Sequence, residues 1–364
     1  SPRTTAVPGG RKGQPGANVL ALFLACALVP SPDAAATAGP QPGHAVAAEA
    51  PAAAVAPLDD RYRLGPRVSH ASLHLWPVID TGRAVAAEGV IALSTAMAAG
   101  LVKVEELDES GSVPQLRVTN LGKQPVLLAA GDVVTGGKQD RVLVDNVVVA
   151  ADNVPVAVAV NCVEHGRWNA KEGLGFGYGG RAEADLKRTV ATERDQGRTW
   201  AKVAEVNAEK KARVSGVDAV MLEPSSGTYS ASLATPAVVQ AVSAYVAALD
   251  APLGADPRTV GLVAAVGDRV VGAEVYGNPA LFAEVRREAL SGLAREALGD
   301  SATPTTAPTD DRAQAFLADA LAARVTQSVE QGDNTTISTE GLSTKGAQLR
   351  GKDGSLYKLD VYAK

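Results

Sequence analysis

Two short stretches concentrate the side chains able to do chemistry. The first, Asn161-Cys162-Val163-Glu164-His165-Gly166-Arg167-Trp168, follows an apolar run that begins at Val156. Strand ends and the loops after them are where a rigid scaffold displays functional groups. Cys162 and His165 suggest a thiol–imidazole pair. If the strand keeps its alternation, however, Val156, Val158, Val160, Cys162 and Glu164 share one face and Asn161, Val163 and His165 the other, so thiol and imidazole point apart. Glu164 is then the better candidate base, with Cys162 second. The other stretch, Gly136-Gly137-Lys138-Gln139-Asp140-Arg141, opens the apolar segment that precedes this strand. If the two segments form a hairpin, the start of one lies beside the end of the other, and Lys138, Gln139 and Arg141 come within reach of Glu164, Arg167 and Trp168. Cations, a carboxylate, an amide and an indole together suit an anionic or planar polar ligand.

Each group also has a purely structural use. Cys162 on a valine face behaves as a small buried apolar residue. Glu164 and Arg167 can close the end of the hairpin as ion pairs with Lys138 and Arg141, and Trp168 can cap a core. Three readings follow: a module that binds a small polar or anionic ligand or a protein partner at this cluster, a hydrolase of a nucleotide-sugar-like substrate with Glu164 as general base, and a structural envelope module. Whether the chain is an enzyme stays open. Gly175 to Gly180 spells GxGxxG, but no strand pattern precedes it, so it reads as a mobile loop beside the cluster and not as a dinucleotide fold. His70, His74 and His165 have no metal-ligand spacing among themselves or with carboxylates, and neither a metal nor a cofactor is expected.

The elements that must position these residues read as short strands and a few helices. Ser69–Ile79 alternates with a period of two, and 93–99 reads as a short helix. Strands at 102–106, 115–120 and 125–129 follow, separated by Gly, Ser and Asn turns. Residues 141–160 carry two apolar runs joined at Ala151-Asp152-Asn153, a hairpin pattern. The charged stretch after residue 180 reads as a solvated helix pair broken at Gly197, and 234–249 as an Ala/Val-rich helix capped by Thr235 and Pro236. Residues 260–266 and 269–276 form a second hairpin around Gly267-Asp268, whose leading glycine suits a turn with positive φ. An amphipathic helix at 279–298, a helix at 312–323 and four terminal strands complete the chain. Asp59, Asp60, Asp310 and Asp311 serve solvation or capping. Short links favour antiparallel pairing, so the fold class is α+β with mostly antiparallel sheets, several packed helices and a short-stranded C-terminal β segment.

The order Leu127-Leu128, Gly131-Asp132, GGKQDR and NCVEHGRW, followed by VGLVAAVGDRVVGAEVYGNPALFAEV, resembles the ADP-ribosylglycohydrolase- and rhodanese-phosphatase-superfamily-associated protein domain, first type, over most of residues 65–300. Asp140 and His165 stand where that family more often has Asn and Gln. The resemblance implies a tie to ADP-ribose or nucleotide chemistry and no particular reaction.

Residues 1–31 read as a secretory signal, with Arg3, Arg11 and Lys12 ahead of an eleven-residue apolar run, and 32–57 as an Ala/Pro-rich tether. The expected domains are a family-like one at 58–300 and a C-terminal helix with strands at 301–364. An exported protein follows, in the periplasm, cell envelope or medium, with Cys26 as the candidate acylation site; no transmembrane helix is expected. With residues 1–26 removed, three positive charges go and no negative ones, taking the formal charge from −5 to −8. That balance argues against nucleic acid as a partner. Cys162 is then the sole cysteine, so no internal disulfide is expected.

Overall fold

A computed structural model describes residues 61–82, 89–107, 114–164, 175–213, 229–299 and 306–364. The first half comprises β1 (Tyr62–Leu64), β2 (Val68–His70), β3 (Leu73–Asp80), β4 (Ile91–Ala92), α1 (Leu93–Ala98), β5 (Val102–Glu106), β6 (Gln115–Asn120), β7 (Val126–Leu128) and β8 (Asp132–Thr135). It continues with β9 (Arg141–Leu143), β10 (Val147–Val149), β11 (Val156–Cys162) and β12 (Gly177–Arg181). Helices α2 (Ala184–Glu193), α3 (Gln196–Arg213), α4 (Tyr229–Leu233) and α5 (Pro236–Leu253) lead to the hairpin β13 (Thr259–Val266) and β14 (Arg269–Tyr276). Then come α6 (Pro279–Gly299), α7 (Asp310–Leu321), β15 (Arg324–Gln331), β16 (Asn334–Glu340), β17 (Thr344–Gly351) and β18 (Leu356–Ala363). Nearly all pairing is antiparallel; β4 with β7 runs parallel. The fold is α+β, as the short links predict.

The largest sheet runs β1-β3-β13-β14-β18-β17-β16-β15, with β2 also on β3. Its central strand β13 is buried at every position, because helices cover both faces. Leu262, Ala264 and Val266 pack with Val242, Leu249, Phe282 and Leu290 of α5 and α6. Val260, Val263 and Ala265 pack on the other face with Phe316 and Leu317 of α7. Glycine at 261 is what lets β13 approach β14 so closely: a Cβ there would sit 2.0 Å from the Glu274 carbonyl oxygen. Two helix starts follow sequence, whereas Thr235 precedes α5 without capping it, its hydroxyl donating back to the Ala231 carbonyl at 3.3 Å. Asn278 accepts the Leu281 amide at 2.8 Å just before Pro279, a side-chain cap followed by a first-turn proline. Thr309 caps α7 by accepting the Arg312 amide, ahead of Asp310 and Asp311 in the first turn. Asp310 does more than cap, since it also accepts the Trp76 indole N–H at 2.8 Å.

The smaller sheets are β10-β7-β4 and β12-β8-β9-β11-β6-β5. Four details depart from the one-dimensional reading. Within 141–160 only β9 pairs with β11; β10 leaves to pair with β7, because Leu127 and Leu128 offer it a buried apolar partner. Residues 177–181 are strand β12 on β8, not a mobile loop. The helix pair breaks at Arg194, which takes the left-handed conformation, while Gly197 lies in the first turn of α3. Nor is α2 simply solvated, since Leu186, Lys187, Thr189 and Val190 are buried. Helix α5 has the length and mean hydropathy, 1.3, to cross a bilayer, and here its Val238, Val242, Leu249 and Leu253 are buried against α6 and the strands beside it.

Candidate functional site

Gly136 to Asp140 form the turn between β8 and β9, and this turn meets the end of β11 as the antiparallel geometry predicts, with Cys162 opposite Arg141. Gly137 has φ 50°, and a Cβ there would lie 2.3 Å from the Phe176 ring, so the glycine both takes the turn and makes room for the chain beside it. The polar groups close on one another. Glu164 accepts the Asp140 amide at 3.3 Å, and its carbonyl takes the Gln139 side-chain amide at 3.2 Å. Arg141 donates to the Gln139 carbonyl at 2.7 Å, and Glu106 accepts the Lys138 amide at 3.0 Å. Arg141 is 0% exposed, with Nη2 3.6 Å from Glu106. Among the described residues Glu106 faces the buried guanidinium, whose Nε and Nη2 have no hydrogen-bond partner. The structure therefore brings Lys138, Gln139, Arg141, Cys162 and Glu164 together. Arg167, Trp168 and His165 lie outside the described residues.

Cys162 has the environment of a structural thiol. Gln196 brackets it, accepting its amide N–H at 2.7 Å and donating to its carbonyl at 2.8 Å, as a neighbouring strand would. Burial pushes the thiol pKa up, Arg141 opposes this, and Glu106 and Glu164 raise it further. The thiol is held protonated, the unreactive form. In a Cys26→Ser background, Cys162 should resist a thiol-specific chromogenic reagent at about pH 8 in the folded chain and react fully in denaturant. Rapid reaction of the folded chain would put the nucleophile reading back in play.

A second polar centre was not legible in the sequence. Asp132 on β8, Arg181 on β12, Lys187 on α2, Glu274 on β14, and Lys358 and Asp360 on β18 form a buried network of three acids and three bases. Arg181 donates to Asp132 at 2.8 Å and to Glu274 at 3.3 Å; Lys187 donates to Glu274 at 2.6 Å and also binds Asp360. Lys358 reaches Asp360 at 2.5 Å, and Asn146 donates to the other Asp360 oxygen at 2.6 Å. Burial would raise the Glu274 pKa, but Lys187, Lys358 and Arg181 outweigh it and hold the carboxyl well below its ordinary range. Burial lowers Lys358 to about 8, against the pull of Asp360 and Glu274. The cavity touching Arg181, Lys187 and Glu274 measures about 30 Å³, room for water and not for a substrate. The network ties the two larger sheets together.

Two larger clefts open at the surface. One, of about 530 Å³, runs over Gln327, Thr336 and Ser338 to Asn146 and Tyr362, and its charges are matched: Arg194 holds Asp145 through two bonds of 2.6 and 2.8 Å. The other, of about 450 Å³, is different. Arg188 of α2, Arg269 at the start of β14 and Arg312 of α7 line it, over Val271 and Phe316, with Asp185 as the facing carboxylate. Among the described residues no carboxylate holds these arginines at hydrogen-bond distance. Arg188 and Arg269 each lie 3.6 Å from Asp185, Arg269 lies 3.7 Å from Glu296, and Arg312 donates to the Asp268 carbonyl at 3.2 Å. Lys364, on the rim, is taken up by Glu340 at 3.0 Å. Glu296 does little to offset Arg269. Burial, then the Asp185 carboxylate, push its pKa up to about 8, with Arg269 only partly opposing. Positions 188, 269 and 312 have no sequence spacing that could have joined them; only the tertiary fold does.

A family model described as the ARG and Rhodanese-Phosphatase-superfamily-associated Protein domain, ARPP-1, matches residues 61–359. No curated protein and no solved structure matches the chain.

Proposed function

The chain belongs to the ARG and Rhodanese-Phosphatase-superfamily-associated Protein domain family over residues 61–359, and on that premise we propose that it is a binding module for a small phosphate-bearing anion seated between Arg188, Arg269 and Arg312. One observation carries the reading. Three guanidinium groups from three separate elements converge on an open cleft with only loose ion pairs of 3.6 to 3.7 Å, in a chain whose formal charge is −5. Planar, multiply donating guanidinium groups left without bidentate partners are suited to phosphate oxygens. The apolar floor of Val271 and Phe316 suits a ligand with a hydrophobic or flat portion beside its charge.

The family's description links it to ADP-ribosylglycohydrolase and rhodanese-phosphatase superfamilies, and ADP-ribose and phosphate esters are both phosphate-bearing. The ligand expected from sequence at the turn around Arg141 fits this cleft better, because three arginines line an open surface here whereas Arg141 is fully buried. Binding is favoured over turnover because Ser343, the hydroxyl in the cleft, donates at 3.0 Å to Asp319, a carboxylate already taken up by the Leu342 and Ser343 amides and the Thr344 hydroxyl. The export expected from residues 1–31 would place the site outside the cytoplasm.

A thermal-shift series with ADP-ribose, pyrophosphate and uncharged adenosine tests the reading. A ligand at a hundred times its dissociation constant adds about 2.7 kcal/mol of stability. ADP-ribose and pyrophosphate should raise the melting temperature and adenosine should not. Arg269→Ala or Arg312→Ala should weaken binding roughly tenfold to a hundredfold, the scale of one hydrogen bond to a charged group. Shifts that survive both substitutions would sink the assignment.

A further inference from the structure

The carboxylate behind the cleft's central arginine bears on how the site works. Glu296 lies on α6 and is 8% exposed, whereas Arg269, 3.7 Å from it, is 54% exposed and faces the cleft. Asp185 shares the same guanidinium at 3.6 Å, and its backbone N–H donates to the second Glu296 oxygen at 3.1 Å. The remaining charged groups nearby do not relieve the crowding. Glu183, the extended residue just before α2, is another carboxylate, already satisfied by Lys210 at 2.6 Å and Tyr229 at 2.6 Å. Arg188 is drawn to Asp185, and Arg295, next to Glu296 in α6, donates to the Arg181 carbonyl at 2.7 Å.

Asp185 thus has Arg188 as well as Arg269, whereas the more deeply buried Glu296 has Arg269 alone among the ion pairs of the described residues and little solvent. Burial and a neighbouring carboxylate both favour the neutral form, so Glu296 is the one that keeps a proton. We infer that Glu296 is a proton-binding site coupled to the cleft, so that the domain takes its anion together with a proton. This rests on the anion reading above and adds its regulation. An anion that engages Arg269 draws away the guanidinium 3.7 Å from Glu296 and adds a negative charge beside it. Both changes favour the protonated carboxyl, so the proton comes from solvent as the anion binds. By reciprocity, ionisation of Glu296 at alkaline pH places a negative charge against Arg269 and weakens anion binding. The upward shift of the Glu296 pKa to about 8 agrees with this geometry and puts the transition in a range where proteins operate.

Titration calorimetry of the full chain with ADP-ribose is the test, because a diphosphate diester keeps its charge across the interval of interest. Measured in two buffers of different ionisation enthalpy, wild type should take up about half a proton per ligand near pH 8, and its affinity should fall several-fold between about pH 6.5 and pH 9. Glu296→Gln, which keeps the acceptor for the Asp185 amide, should bind with no proton uptake and a flat pH profile. Wild-type binding that is independent of pH, or a Glu296→Gln variant with the wild-type pH profile, would overturn the coupling and leave anion binding intact. Absence of binding at every pH would overturn the anion reading and the coupling with it.

Discussion

Replacing Lys187 with methionine should destabilise the protein by about 3–5 kcal/mol, the scale on which a buried ion pair is broken from one side. Lys187 is buried, and its ammonium lies between Glu274, at 2.6 Å, and Asp360. Without it, Glu274 keeps only the cations Arg181 and Lys358, at 3.3 Å each, the fully buried Asp360 keeps Lys358 as its one cation among the described residues, and the network of three acids and three bases is left with an excess negative charge. Urea unfolding at neutral pH measures the loss. The double variant Lys187→Met with Asp360→Asn should lose less than the sum of its parts, because the second change removes the orphaned charge. Additive losses would mean that the two side chains do not act as a unit. The same network sets an acid limit. Burial would raise Glu274 and Asp360, but the surrounding lysines and Arg181 hold both below their ordinary range. As pH falls, the unfolded chain takes up protons first. The stabilisation is therefore complete above the ordinary carboxylate range and is lost as pH drops through the lower folded-state values.

Glu296→Gln should work in the opposite direction and stabilise the chain. The Glu296 carboxyl titrates near 8 in the fold against an ordinary 4.5, chiefly because it is buried and then because Asp185 is beside it. Above about pH 4.5 the unfolded chain releases that proton while the folded one keeps it. The contribution of Glu296 to stability is thus fully present below its ordinary value and is lost as pH rises toward 8. Glutamine is neutral in both states and escapes the loss. At about pH 7.5 the variant should exceed wild type by on the order of 4 kcal/mol, and near pH 4 the two should unfold at the same urea concentration. A variant less stable than wild type at pH 7.5 would show that Glu296 is ionised and held by Arg269.

The sequence carried the local structure further than the site. The Gly267-Asp268 turn and the proline at 279 each determine their element through neighbours in the chain, so hairpin and helix start fall where expected, whereas the single strand expected over 69–79 divides at Ala71, with positive φ, into β2 and β3 paired with each other. Pairing between Arg141 and Cys162 was legible for the same reason. The departure of β10 to β7 was not, because it depends on a buried partner some twenty residues earlier. Charged residues misled most. Lys187 and Arg188 sit side by side in a stretch that reads as solvated, yet the helix turns one into the sheet-to-sheet network and the other into the cleft. Glu274 and Asp360 face each other only because β14 pairs with β18 in that register. Arg188, Arg269 and Arg312 meet only because α2 and α7 approach the same end of β14. In GGKQDR, by contrast, the glycine at 137, Gln139 and Arg141 also serve the turn's own closure, so their density reports the turn as much as a site.

The most direct test of the anion reading is a crystal structure of the protein grown with saturating pyrophosphate. The account predicts density for the diphosphate in the cleft, with oxygens at hydrogen-bond distance from at least two of Arg188, Arg269 and Arg312. Density beside Gln139 and Arg141 instead, with the cleft free of ligand, would contradict it and return the site to the turn between β8 and β9.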